Sequence, residues 1–186
     1  MLTKLQTSKM GFHFLNIGKT IRLKNEFKAG GIVVFRSATL DLHPAPSESK
    51  YDNAGINIVR GDNVLLHIAI RRRENAFVFN SKPTGGDWGR EERKPLKDAF
   101  KRKQTSITVY DHGDWFQVLI DYNTVIYYKK RIAGNSDGFS YYVDATLSPF
   151  SNPLVVSVYT SLAGIIPSGE VGVTADEDED DAYLEN

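Results

Sequence analysis

Apolar and polar residues alternate with a period of two in short runs along most of the chain. The run Asn63 to Arg71 (NVLLHIAIR) sets the pattern: on a strand His67, Ala69 and Arg71 share one face. Similar runs cover 11–17, 20–23, 32–35, 37–42, 54–59, 76–79, 106–110, 115–121, 125–129, 139–143 and 154–161. Turn chemistry separates them, at Gly18-Lys19, Gly61-Asp62, His112-Gly113 and Tyr122-Asn123. The stretch HPAPSESK (43–50), with two prolines and small polar residues, reads as a loop. Only the charged segment 95–104 (PLKDAFKRKQ) leaves room for one helical turn. Short strands joined by short turns predict an all-β fold, an antiparallel two-sheet sandwich.

Length and charge refine this picture. The chain of 186 residues favours one domain with a sizeable core. All 23 basic residues precede position 175, whereas seven of the 23 acidic residues follow it, so a body of +7 ends in a tail of −7. We divide the chain into a polar N-terminal segment (1–10), a domain (11–164) and an acidic tail (165–186) expected to be disordered. The basic residues are scattered among the strands, which argues against nucleic-acid binding. No run approaches the length that spans a membrane, so no membrane insertion is expected. The N-terminus lacks the apolar core of a signal peptide, which predicts synthesis in the cytoplasm. With no cysteine, thiolate metal sites and disulfides are excluded.

The candidate chemistry gathers between positions 63 and 94. After His67 and Arg71, a second run delivers Asn80. A Gly-rich turn then leads to Trp88, with Glu91 and Arg93 two apart. Neighbouring antiparallel strands would bring these residues to one sheet face. An aromatic plate, fixed donors and one charged acceptor suit a sugar, which has apolar C–H patches and a rim of hydroxyls. Ion pairing with Glu91 would hold the Arg71 and Arg93 guanidinium groups in place while leaving donors to spare. Catalysis is not expected. Glu91 and Glu92 are adjacent, so on a strand they point to opposite faces and cannot flank one glycosidic bond. Asp111, His112 and Asp114 (DHGD) read as turn chemistry, so no metal or other cofactor is expected. Trp115 lies in an alternating run and reads as core or sheet packing.

These residues resemble the galectin signature. That family's site is written His-x-Asn-x-Arg, Val-x-Asn and Trp-Gly-x-Glu-x-Arg; here stand His67-Ile68-Ala69-Ile70-Arg71, Val78-Phe79-Asn80 and Trp88-Gly89-Arg90-Glu91-Glu92-Arg93. The wider chain is similar to the fungal branch over roughly residues 11–164, in LLHIAIR, ENAFVFNS, ITVYDHGDWFQVLID and VSVYTSLAG. The resemblance implies a jelly-roll sandwich that binds β-galactosides such as lactose or N-acetyllactosamine without catalysis and without a metal. It places Trp88 against galactose, His67 and Arg71 at the axial 4-hydroxyl, and Asn80 and Glu91 at the 6-hydroxyl. Arg71, Glu91 and Arg93 would reach the next sugar. It further implies a homodimer or larger assembly that crosslinks glycans, and arrival at the cell surface by an unconventional route. The alternatives are a glycan-modifying enzyme or accessory domain on a similar sandwich, and a galectin-like protein with chitin-type or substituted-galactose specificity.

One position departs. Ala69 stands where the family has asparagine, which removes a donor to the 4-hydroxyl. A lost hydrogen bond is worth roughly 0.5–1.5 kcal/mol. Asp52 and Asn53, just after the 43–50 loop, are the candidates to replace it.

Overall fold

The computed structural model describes residues 10–44, 52–144 and 147–160. The expectations for the acidic tail and most of the N-terminal segment therefore lie outside the described residues. Among the described residues twelve strands follow one another: β1 (Met10–Leu15), β2 (Lys19–Phe27), β3 (Ile32–Ser37), β4 (Asn53–Arg60), β5 (Asn63–Arg71), β6 (Ala76–Lys82), β7 (Glu92–Pro95), β8 (Thr105–Asp111), β9 (Trp115–Ile120), β10 (Asn123–Lys129), β11 (Ser136–Val143) and β12 (Leu154–Tyr159). They form two six-stranded sheets, ordered β1-β12-β3-β8-β9-β10 and β2-β11-β4-β5-β6-β7, with every neighbouring pair antiparallel. The sandwich read from the alternation is the fold.

The core lies between the sheets. Ile56, Ile58, Leu66, Ile68, Ile70, Phe77, Phe79 and Phe139 of one sheet meet Val33, Phe35, Val109, Phe116, Val118 and Val156 of the other. On β5 this turns His67, Ala69 and Arg71 outward. Leu65 and Leu66 both join the core cluster, so strict alternation breaks at this point. A bulge there shifts the register of β5 against both β4 and β6 just before His67, where bulges commonly re-aim a side chain.

Two details differ from the sequence reading, and a third decides between two alternatives. No helix forms in 95–104: Leu96 is buried, one turn closes from Ala99 N to Leu96 O (3.1 Å), and Asp98 has a φ of 63°, which a helical turn does not accept. The alternation at 37–42 does not extend β3. Ser37 Oγ folds back to donate to Thr39 O (2.6 Å), and only Leu40 makes an isolated bridge, to Phe150. Of the two readings for Trp115, core or sheet packing, the structure takes the second. Trp115 is 42% exposed on the outward face of β9, with the Lys129 ammonium 5.7 Å from its ring centroid.

Candidate carbohydrate site

The outward face of β4, β5, β6 and β11 carries the site. Cross-strand pairing sets Asn53 beside Arg71, Gly55 beside Ala69, and Asn57 beside His67, with Asn80 next to His67 on the far side. Although these side chains point away from the core, His67, Ala69, Asn53, Asn57 and Asn80 are all buried. Larger side chains lie over them.

Trp88 is one of these. Its ring centroid is 4.8 Å from that of His67, yet 46% of the residue remains exposed, leaving indole surface open to a ligand. The loop that carries it is fastened from below. Asn80 Nδ2 donates to Gly89 O (2.8 Å), and Gly89 N donates to Ser81 O (3.0 Å). Arg131 Nη1 donates to Arg90 O (2.5 Å) and to Asn80 Oδ1 (3.2 Å), while Nη2 pairs with Glu92 (2.7 Å). A Cβ on Gly89 would lie 2.8 Å from Arg131 Nη1 and 3.1 Å from Asn80 Oδ1, so any side chain there would push the Arg131 guanidinium off this brace. Asn80 was expected to face a ligand. In the structure its Oδ1 also accepts from Ser81 N (2.9 Å), so much of its amide braces the Trp88 loop.

Four charges form a closed ring at the other end. Arg71 Nη2 meets Glu91 Oε1 at 2.7 Å and Nη1 meets Glu91 Oε2 at 3.4 Å. Arg93 bonds Glu91 (3.1 Å) and also Glu74, which in turn lies 3.6 Å from Arg71. Signs alternate around the ring, so each guanidinium is held between two carboxylates. The Arg71 side chain is only 13% exposed, which makes it the most enclosed of the four. Sequence reasoning found three of these residues and missed Glu74. The available signal was its place three residues after Arg71 in the RRREN turn.

His67 Nδ1 lies 2.7 Å from Asn57 Oδ1, and Asn57 Nδ2 donates to Ser140 Oγ (2.9 Å). An amide oxygen only accepts, so Nδ1 carries the proton and Nε2 presents a lone pair. Burial, with help from the neighbouring Arg71 charge, pushes the imidazole down to about 4. Between pH 6.5 and 4 the unfolded chain therefore takes up a proton that folded His67 refuses. Stability should fall with pH through that window, by about 3 kcal/mol at its lower end. Urea unfolding of wild type and His67→Gln from pH 7 to 4 checks this; the variant should lose that part of the slope.

The two loop candidates separate. Asn53 reaches the face, where its Nδ2 donates to Tyr142 Oη (3.1 Å). Asp52 does not. Its fully buried carboxylate pairs with Arg72 Nη2 at 2.6 Å, on the side of the strand opposite Asn53, so the expectation that Asp52 serves the site is corrected. In the DHGD turn, Asp111 is held by Lys130 Nζ (2.7 Å to each oxygen) and Gly113 N, and the His112 ring lies tilted against that of Tyr110, centroids 4.0 Å apart. Among the described residues no group of three His, Asp or Glu is placed to hold a metal.

A family model described as galactoside-binding lectin matches residues 19–148. The chain is a galectin. It is 40% identical over 156 residues to Galectin-1 of Coprinopsis cinerea, covering 84% of this chain and 99% of that protein. It is 35% identical over 159 residues to an anti-tumor lectin of Cyclocybe aegerita, covering 82% and 99%. The solved structure of the Caenorhabditis elegans galectin LEC-6 superposes with a TM-score of 0.58 over 80% of this chain and 94% of that one, at 17% identity. The resemblance read from the residues, to the fungal branch of this family, therefore holds, and the protein is a galactoside-binding lectin.

Proposed function

We propose that this galectin holds lactose or N-acetyllactosamine units non-catalytically on the β4–β6 face and crosslinks glycans as an oligomer. The observation that carries the reading is the spacing of three elements on one face: the half-exposed Trp88 plate, the neutral His67 acceptor beside it, and the Arg71–Glu91–Arg93–Glu74 ring. Stacked on Trp88, a galactose turns its apolar face to the indole, a contact worth on the order of 1–2 kcal/mol. Its axial 4-hydroxyl then donates to His67 Nε2 and accepts from Arg71. An equatorial hydroxyl, as in glucose, points away from both. The charge ring, lying beyond Arg71, serves the hydroxyls of the second sugar. Glu91 is locked between two arginines, which suits binding rather than proton transfer.

Oligomerisation is supported by β1, an edge strand whose Phe12 and Phe14 are 56% and 60% exposed and pack edge to face on each other. A single shallow site has modest affinity, and a dimer supplies avidity. Calorimetric titration of lactose, with cellobiose and chitotriose as comparators, tests the specificity. Binding of lactose in the micromolar to low-millimolar range with cellobiose silent is expected; silence toward lactose would sink the reading. Sedimentation equilibrium of the full chain should return twice the monomer mass or more.

A further inference from the structure

Ala69 leaves the site one donor short, and a residue from a distant strand lies over the gap. Tyr142 of β11 pairs across the sheet with Gly55 of β4, and Gly55 pairs with Ala69 of β5. The row Tyr142–Gly55–Ala69 therefore has one large side chain and two that take almost no space. A Cβ on Gly55 would lie 2.3 Å from Tyr142 Cε1, 2.5 Å from Cζ and 2.7 Å from Oη. The outer end of the phenol thus rests directly on the Gly55 backbone, where any other residue would expel it. Its ring runs nearly parallel to that of His67, at 8° and 5.9 Å. Oη accepts from Asn53 Nδ2 at 3.1 Å and stands 3.4 Å from His67 Nε2.

We propose that Tyr142 is a ligand-contacting residue of this site, seated on Gly55 so that its hydroxyl supplies the hydrogen-bond donor that Ala69 lacks. The inference rests on the galactoside reading given above. The geometry favours a donor. Asn53 already donates to Oη, so the phenolic hydrogen is directed elsewhere, and the His67 lone pair is the acceptor in front of it. At 3.4 Å that contact is well beyond the 2.7–3.0 Å of a good bond from a hydroxyl. A sugar hydroxyl entering between them donates to Nε2 and accepts from Tyr142, replacing one long bond by two short ones. Burial pushes the phenol upward, so the donor is present throughout the neutral range. Asn53 then acts as a positioning residue. Its Oδ1, buried and without a hydrogen-bond partner among the described residues, lies at the same edge of the site.

The test is calorimetric titration of lactose into wild type, Tyr142→Phe and Gly55→Ala, each checked by its thermal unfolding midpoint. Tyr142→Phe keeps the ring and removes one atom, so its midpoint should fall by no more than a few degrees, from the lost Asn53 bond, while lactose binding weakens about five- to tenfold. Gly55→Ala should displace the ring and give a loss at least as large by an independent route. Tyr142→Ala combined with Ala69→Asn, which returns an amide to the vacated place, should recover most of the affinity. Lactose affinity unchanged in Tyr142→Phe would overturn the inference and leave the galactoside reading standing. A wild-type protein that binds no galactoside would overturn both.

Discussion

Replacing Arg71 by methionine should weaken lactose binding about a hundredfold or more, beyond detection by ordinary titration. Two effects add. Arg71 has its guanidinium held between Glu91 and Glu74 at the centre of the site face, so the group meets a ligand without further ordering. Hydrogen bonds from a charged donor contribute about 1.5–3 kcal/mol each, and two of them account for at least a hundredfold. Methionine also breaks the charge ring, leaving Glu91 and Glu74 to share Arg93 and removing the restraint that orients their oxygens. Arg71→Lys should recover only part of the loss, because an ammonium cannot bridge a carboxylate and a hydroxyl in the plane that the guanidinium fork provides. Titration of lactose into both variants separates these contributions. The unfolding midpoint should fall modestly in Arg71→Met, because the Arg71 side chain is only 13% exposed and its loss leaves two partly enclosed carboxylates with one counter-charge.

Most of this site was legible because strand chemistry is local. His67, Ala69 and Arg71 share a face by alternation alone, and the turn residues before Trp88 and between β5 and β6 place their neighbours within one sheet. What escaped lies beyond that range. Tyr142 sits 75 residues from His67 and reaches it only because β11 pairs with β4, a pairing that no period in the sequence records. Arg131 likewise enters from beyond the end of β10 to brace the Trp88 loop. Two placements carry a signal in the sequence itself. In WFQVLI, Gln117 has the same parity as Trp115, which marks that face as the wet one. Asp52 directly precedes Asn53, so if one serves the outward face the other points away from it. There it meets Arg72, the neighbour of Arg71 with the opposite orientation.

That inner pair sets the second large effect. Arg72→Met should lower stability by about 3–5 kcal/mol, the range found when one partner of a buried ion pair is removed. The Arg72 and Asp52 side chains are 1% and 0% exposed. Arg72 also donates to Asp41 O (3.3 Å) and Leu147 O (2.5 Å), so one guanidinium joins the start of β4 to two separate loops. Asp52 itself has a φ of 47°, a left-handed conformation that aspartate tolerates better than most residues. Methionine fills similar volume but takes the counter-charge from a carboxylate that has no access to water. For a chain of this length the unfolding midpoint should fall by on the order of 10 °C. Adding Asp52→Asn should recover part of the loss, since the burden is the uncompensated charge rather than the missing contact; a double variant no more stable than Arg72→Met would assign the effect to the two carbonyl bonds instead. Lactose affinity of the folded fraction should drop as well. Asn53 and Arg71 are the next residues along each strand, and their position relative to Tyr142 and Glu91 depends on the anchor beneath them.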